Sequence, residues 1–114
     1  MRSATRPLRG RRTFRRLAAN GIRVRRGPLT LVVGDCTPTP EVGFSISKHV
    51  GGAVVRNRLR RRLLTLLTEH ELPARALLVR PQPAAARCSF TELRGALVDA
   101  LDAVSRTLAT RQVG

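Results

Sequence analysis

The chain of 114 residues is long enough for one domain with a modest core, and its 22 basic and 7 acidic residues give a net charge of +15. No apolar run approaches the roughly 20 residues of a membrane-spanning helix, and the N-terminal region lacks the apolar core of a secretory signal. We therefore expect a cytoplasmic protein with no membrane partner, in which Cys36 and Cys88 are reduced thiols.

The positive charge lies mainly in the first half of the chain. Residues 1–62 contain 16 basic and 2 acidic residues, whereas residues 63–114 contain 6 basic and 5 acidic residues. All the basic residues except Lys48 are arginine, whose guanidinium group forms paired hydrogen bonds with phosphate and stacks on bases. This asymmetry indicates a densely charged partner, most simply a nucleic acid. A solvated basic face and a mitochondrial transit peptide are the alternatives at this point.

The N-terminal part of the sequence predicts an arm followed by a short helix. Residues 1–11 are basic and contain a proline and a glycine, so we expect a flexible arm that becomes ordered on binding. Thr13 is predicted to be the N-cap of a helix whose apolar residues recur at helical spacing until Asn20 and Gly21 end it. We interpret residues 1–114 as a single domain that includes this arm.

The segments that follow have strand character. Apolar and polar residues do not alternate regularly in residues 23–26, which fit either an edge strand or a loop. Residues 29–33 form an apolar run that is typical of a buried strand. Residues 34–40 predict an exposed turn. In residues 42–47 apolar side chains alternate with glycine and serine, so one face of this strand is apolar and the other is small enough for a ligand to approach closely.

A helix is predicted over residues 53–70, and placing successive residues about 100° apart separates an apolar stripe from a basic face. Asn57, Arg60 and Arg61 lie on the basic face, and Leu64 lies among them. The apolar stripe consists of Val55, Leu59, Leu63, Leu66 and Leu67.

The C-terminal part of the sequence predicts a strand and a helix. Residues 76–79 are apolar throughout, as in an interior strand, and Pro81 and Pro83 then interrupt the chain. Ser89 and Glu92 have the spacing of a capping box at the start of the last helix. The predicted fold is therefore α+β, a small α/β sandwich with the element order α-β-β-β-α-β-α.

The sequence contains few residues that could form a catalytic site. His49 lies in a basic turn, and its position fits either contact with RNA or plain exposure to solvent. His70 is expected to cap a helix C-terminus. Neither histidine has a carboxylate or cysteine at ligand spacing, and Asp35 and Glu41 flank a predicted turn. We therefore expect no catalytic residue and no metal-binding residue in this chain.

The most informative segment is residues 43–62, where a strand leads through a glycine turn into a helix crowded with arginine. The N-terminus of a helix carries a partial positive charge, so arginines in its first turns are unfavourable for stability alone. The arrangement becomes favourable if a polyanion docks there, since free helix-end N–H groups and guanidinium groups both bind phosphate.

This segment closely resembles the signature of the bacterial ribonuclease P protein family, which joins a Gly-x-Ser-x-Ser-Lys strand end to a glycine turn and an Arg-Asn-Arg helix. The resemblance in element order extends from about Phe14 to the last helix. The matching residues are Ser45, Ser47 and Lys48 in the strand end and Arg56, Asn57, Arg58, Arg60 and Arg61 in the helix.

The resemblance implies the protein subunit of a ribonucleoprotein endoribonuclease that removes the 5′ leader of precursor tRNA. In that family the RNA subunit carries catalysis, and Mg²⁺ is held mainly by the RNA subunit and the substrate. The implied partners are precursor tRNA and ribonuclease P RNA, with one protein per RNA. The implied fold contains a left-handed β-α-β crossover that carries the Arg-Asn-Arg helix, against the usual right-handed rule.

The resemblance also implies two binding surfaces. Phe14 and Ser45 would contact the single-stranded leader in a cleft between the first helix and the sheet. The RNA subunit would contact Lys48, Gly51, Arg56, Asn57, Arg58, Arg60 and Arg61.

The chain departs from the family pattern within these surfaces. Ala18 and Val32 stand where the family often has cleft aromatics, and Gly52 and Leu64 replace an asparagine and a late arginine. A ribosomal-type or RNA-chaperone binding protein is the alternative function, because it would also be small, basic and without catalytic groups. The linked strand, turn and helix motif favours ribonuclease P over this alternative and over a self-sufficient nuclease.

Overall fold

The computed structural model describes residues 5–113 of the chain and the side chains of residues 5–110, which form a five-stranded sheet with helices on both faces. The strands are β1 (Arg6–Pro7), β2 (Ile22–Arg26), β3 (Leu29–Cys36), β4 (Glu41–Phe44) and β5 (Arg75–Pro81). The helices are α1 (Arg11–Asn20), α2 (Ala53–Leu67) and α3 (Phe90–Val113), with a 3₁₀ helix at Pro83–Arg87.

β5 occupies the middle of the sheet, whose strand order is β1-β4-β5-β3-β2. It pairs parallel with β4 and antiparallel with β3, and β2 continues the antiparallel pairing at one edge. β1 extends the other edge, where the Arg6 N–H donates to the Pro40 carbonyl and the Leu8 N–H donates to the Val42 carbonyl, both at 2.8 Å. Because β4 and β5 are adjacent and parallel, α2 lies in the crossover that joins them.

Alternation along the strands divides the core into two apolar clusters. In β3, Leu31 joins the cluster under α2 and α3, whereas Val32 joins the cluster under α1. In β5, Leu77 belongs to the first cluster and Leu78 to the second. A strand buried on both faces is apolar at successive positions, which explains the unbroken apolar run of residues 76–79.

Most of the predicted elements are present. The capping box of α3 is confirmed, since the Glu92 N–H donates to Ser89 Oγ at 3.1 Å and the Ser89 N–H donates to Glu92 Oε1 at 2.8 Å. Of the two alternatives for residues 23–26, the structure selects the edge strand, β2. The α+β sandwich is confirmed, with β1 added before the predicted series. The handedness of the crossover and the single-domain extent of the chain stay predictions.

The N-terminal segment differs from the flexible arm predicted over residues 1–11. Residues 1–4 lie outside the described residues, but Arg6–Pro7 pair with β4 and Leu8 is only 6% exposed. Leu8 packs with Phe14 in the cluster under α1. Burial of this one leucine favours an ordered segment that its basic composition does not suggest.

α1 and β3 are both longer than predicted. α1 begins at Arg11, so the predicted N-cap Thr13 lies inside the helix, and Gly10 precedes the helix with a φ of 94°. β3 continues to Cys36 where an exposed turn was predicted, because a register shift lets Cys36 pair with Arg75 of β5.

α2 ends at Leu67, although the predicted helix extended to His70. The following turn is closed by the backbone, with the His70 N–H donating to the Leu67 carbonyl at 3.2 Å. His70 Nε2 is buried without a hydrogen-bond partner in the part of the chain that the structure describes. The backbone, rather than the imidazole, therefore completes this helix end.

Alanine substitutions at two glycines should change stability in opposite directions. A Cβ at Gly21 would lie 2.5 Å from Val32 Cγ1 and 2.6 Å from the Leu17 carbonyl oxygen. Gly21→Ala should therefore lower the free energy of unfolding by roughly 1–3 kcal/mol through overpacking. Gly95 lies inside α3 with open space at its Cβ position, so Gly95→Ala should raise that free energy by about 0.5–1 kcal/mol. Urea unfolding measures both changes, and a Gly21→Ala variant as stable as the parent would contradict the close packing of α1 on β3.

Candidate nucleic-acid interface

The turn between β4 and α2 presents polar side chains on a buried anchor. Val50 is 7% exposed and belongs to the cluster under α2 and α3, whereas Lys48 and His49 are exposed. The Val50 N–H donates to the Ser47 carbonyl at 3.1 Å, and the Gly51 N–H donates to the Lys48 carbonyl at 3.2 Å. Lys48 is thus held at the surface by a backbone that is anchored in the core.

Gly51 allows close contact between this turn and the first turn of α2. A Cβ on Gly51 would lie 2.8 Å from Val55 Cγ1 and 2.9 Å from Val55 Cβ, so a larger residue would push the turn away. Arg56 Nε donates to the Gly51 carbonyl at 3.1 Å, and Arg56 is half-buried. Two of the residues predicted to contact RNA, Gly51 and Arg56, therefore also hold the turn against the helix.

The outer side of α2 is a basic surface. Asn57, Arg58, Arg60 and Arg61 are exposed there, and we name these four residues the α2 face. The helix has no acidic residue in its first turn, and its N-cap residue, Gly52, makes no side-chain cap hydrogen bond. The positive end of the helix dipole and the arginines therefore act in the same direction, which favours an anion at this surface.

The seven residues predicted to contact the RNA subunit are brought together in one stretch of turn and helix. Lys48 and the α2 face are exposed, and Gly51 and Arg56 support them from behind. The ion pairs that join described side chains do not involve the arginines of α2; they are Arg16–Asp35, Arg94–Glu69 and Arg106–Asp102.

A groove of about 590 Å³ lies between α1 and the sheet. Arg12, Arg16 and Asn20 line it from α1, and Asp35 and Arg75 line it from β3 and β5. An ion pair of 3.1 Å joins Arg16 to Asp35, and Arg75 Nη1 donates to a β3 carbonyl at 3.0 Å. The α1 wall is therefore cationic, whereas the sheet wall carries Arg75 together with the acidic residues Asp35 and Glu41.

Sequence reasoning did not assign these residues to a binding groove. Arg12, Arg16 and Asn20 recur every four residues, a spacing that places them on one side of a helix and could have identified this wall. Asp35 and Arg75 offered no such signal, because only the pairing of β3 with β5 brings them together.

Phe14 and Ser45, predicted to contact the leader, do not form part of the groove wall. Phe14 is half-buried under α1, and its Cζ atom would lie 2.9 Å from a Cβ on Gly43. Leu8 approaches that position equally closely, so the small face predicted to admit a ligand is occupied at Gly43 by the protein itself. Ser45 is exposed just beyond β4, and its N–H donates to the Val79 carbonyl at 2.9 Å.

Metal ligands do not cluster in the described residues. No group there of three or more His, Cys, Asp or Glu could hold a metal ion. Cys36 is exposed, Cys88 is partly buried, and both are free thiols. Among the described helices, none is long and apolar enough to cross a membrane.

Comparison with solved structures shows the same fold in two bacterial proteins. The RNase P protein of Staphylococcus aureus superposes with a TM-score of 0.76 at 19% identity, over 86% of this chain and 94% of that chain. The RNase P protein of Thermotoga maritima gives a TM-score of 0.74 at 19% identity, over 83% of this chain and 94% of that chain.

Sequence comparison gives closer relatives. The ribonuclease P protein component of Thermobifida fusca is 53% identical over 70 residues, which are 59% of this chain and 48% of the relative, so the match spans about half of that protein. The ribonuclease P protein component of a Nocardioides species is 43% identical over 100 residues, covering 82% of this chain and 86% of the relative. The family profile described as Ribonuclease P matches residues 3–105. With this match over most of its length, the chain belongs to the ribonuclease P protein family.

Proposed function

We propose that this chain is the protein subunit of a ribonuclease P ribonucleoprotein, which removes the 5′ leader of precursor tRNA by Mg²⁺-dependent hydrolysis. The observation that carries the proposal is the exposed α2 face beside a rigid glycine turn, in a chain of the ribonuclease P family. Family membership also favours this function over a ribosomal-type or RNA-chaperone role.

The α2 face and Lys48 are proposed to bind the RNA subunit. Guanidinium groups form paired, charge-assisted hydrogen bonds with phosphates. The bond between Arg56 and Gly51 and the burial of Val50 hold the backbone that carries these cations in place before binding. The backbone therefore loses little conformational entropy when the RNA docks.

The groove between α1 and the sheet is proposed as the path of the single-stranded leader. Arg12, Arg16 and Arg75 would contact its phosphates. The ion pair between Arg16 and Asp35 is largely exposed and hence weak, so a phosphate can compete with the carboxylate. Phe14 follows Thr13, which lines the groove, and would contact a base at the groove margin. Ser45 stays a proposed leader contact.

Catalysis is proposed to lie with the RNA subunit, and Mg²⁺ is proposed to be held mainly by that RNA and the substrate. A cationic protein placed between two polyanions lowers their mutual repulsion and so strengthens substrate binding. We propose one protein per RNA, acting in the cytoplasm.

Arg58→Ala and Arg61→Ala should each weaken binding to ribonuclease P RNA. Each should also reduce the slope of log affinity against log salt concentration by roughly one unit or less, because fewer counterions are released. Arg106→Ala removes an exposed charge from α3 and is the matched control, which should keep the parent slope. Arg56 is a poor probe because it also bonds to Gly51. Titrations at several salt concentrations measure the slopes, and parent-like values for all variants would exclude α2 from the interface.

The purified protein alone should not cleave precursor tRNA at any magnesium concentration, because the proposal places catalysis in the RNA. A bacterial ribonuclease P RNA alone should cleave slowly and only at high magnesium, and adding the protein should restore cleavage at low magnesium. Gel analysis of the released 5′ leader measures all three reactions. Leader removal by the protein alone, persisting after contaminating RNA is digested, would overturn the assignment.

Phe14→Leu should keep most of the apolar packing under α1 while removing the aromatic ring. The variant holoenzyme should bind precursor tRNA with a long leader about three- to tenfold more weakly, because one base contact is lost. Its affinity for a substrate with a very short leader should not change. Phe90→Leu, which removes a partly buried ring from α3, is the matched control and should affect neither substrate. Equal weakening for both leaders would show that Phe14 acts through the fold alone.

A further inference from the structure

Two of the three large apolar side chains that are exposed in the described residues lie on α2. Val54 is 76% exposed and Leu64 is 42% exposed, and the third, Val98 of α3, is 40% exposed. At about 100° per residue, Val54 and Leu64 fall on either side of Asn57 and Arg61. A rise of about 1.5 Å per residue places them about 15 Å apart along the axis, near opposite ends of the basic surface.

The fold itself does not need either side chain. Val54 lies in the first turn, where a β-branched residue is a weaker helix former than leucine and an exposed one contributes almost no apolar burial. Leu64 lies outside the buried side of the helix. α2 packs on the core through Leu59, Leu63, Leu66 and Leu67.

The surroundings of these two side chains indicate the chemistry of the partner. The α2 face is cationic, and the helix α2 has no acidic residue in its first turn. Charge complementarity therefore favours a partner that carries negative charge. RNA offers phosphates together with the apolar faces of its bases. A regular RNA duplex keeps its base faces stacked inside, so contact with Val54 and Leu64 requires unstacked bases, as in a loop, bulge or junction.

Building on the proposed function, we propose that Val54 and Leu64 contact the faces of unstacked bases of ribonuclease P RNA, while the arginines between them bind the neighbouring phosphates. α2 thereby docks on an irregular segment of the RNA rather than on a regular duplex. The two kinds of contact differ in their response to salt, because phosphate contacts release counterions and apolar contacts do not.

Val54→Thr and Leu64→Gln test this proposal, since each exchanges apolar surface for a polar group of similar size and similar helix propensity. Both side chains are exposed, so the melting temperatures should stay close to that of the parent. Each variant should bind ribonuclease P RNA about five- to tenfold more weakly at every salt concentration, with the parent slope, because a polar group is buried without a partner. Val98→Thr, the matched control on α3, should bind like the parent.

The same titrations distinguish failure of this inference from failure of the proposed function. Parent-like affinity of both variants overturns the inference, and so does a loss of affinity that comes with a reduced salt slope. If Arg61→Ala still weakens binding in that case, α2 remains the RNA interface. If Arg61→Ala also binds like the parent, the interface proposed for α2 is excluded as well.

Two further measurements test the type of RNA and the identity of the occupant. On a fully paired RNA duplex the parent, Val54→Thr and Leu64→Gln should bind equally, because only phosphates are contacted there. A loss on the duplex as large as on ribonuclease P RNA would overturn the docking of α2 on irregular RNA. Sedimentation of the free protein tests self-association, and a dimer that both substitutions dissociate would make a second copy of the chain the occupant and overturn the inference.

Discussion

Burial of β5 on both faces is the constraint on which the rest of the structure depends. β5 lies between β4 and β3, and it supplies Leu77 and Val79 to the cluster under α2 and α3 and Leu78 to the cluster under α1. Both faces of this strand must be covered by helices, and α2 lies in the connection between the parallel strands β4 and β5. The apolar side of α2 is thereby fixed on the sheet, and its basic side is left facing outward.

Charge and packing oppose each other along α2. The arginines near its N-terminus are unfavourable beside the positive end of the helix dipole, and Gly52 adds no side-chain cap. The four buried leucines on the opposite side offset this, since full burial of each such side chain contributes about 1.5–3 kcal/mol. The hydrogen bond from Arg56 to Gly51 further fixes the first turn. α2 can therefore carry a surface that is poor for stability and good for binding an anion.

The N-terminal segment shapes the second surface of the protein. β1 extends the sheet, and Leu8 with Phe14 fills the face beside Gly43, so part of the region under α1 is occupied by the chain itself. The remaining groove lies next to this filled part and is lined by arginines of α1 and β5. Val32, which stands where the family often has an aromatic, is fully buried. The proposed leader path is accordingly lined by charged and apolar side chains rather than by aromatic ones.

The features that the sequence by itself determined are those encoded by residues close together in the chain. The buried side of α2, the exposure of Leu64 and the capping box of α3 follow from helical spacing, and the interior strand follows from the apolar run of residues 76–79. The site residues on α2 followed from the family resemblance, and the exposure of Asn57, Arg60 and Arg61 agrees with that spacing. The pairing of β1 with β4, the burial of Leu8 and the contact of Arg16 with Asp35 were decided only by the tertiary structure. Each of these contacts joins two segments that are distant in sequence. The pattern of residues within one segment does not show which distant segment it will contact, so sequence reasoning could not predict these contacts.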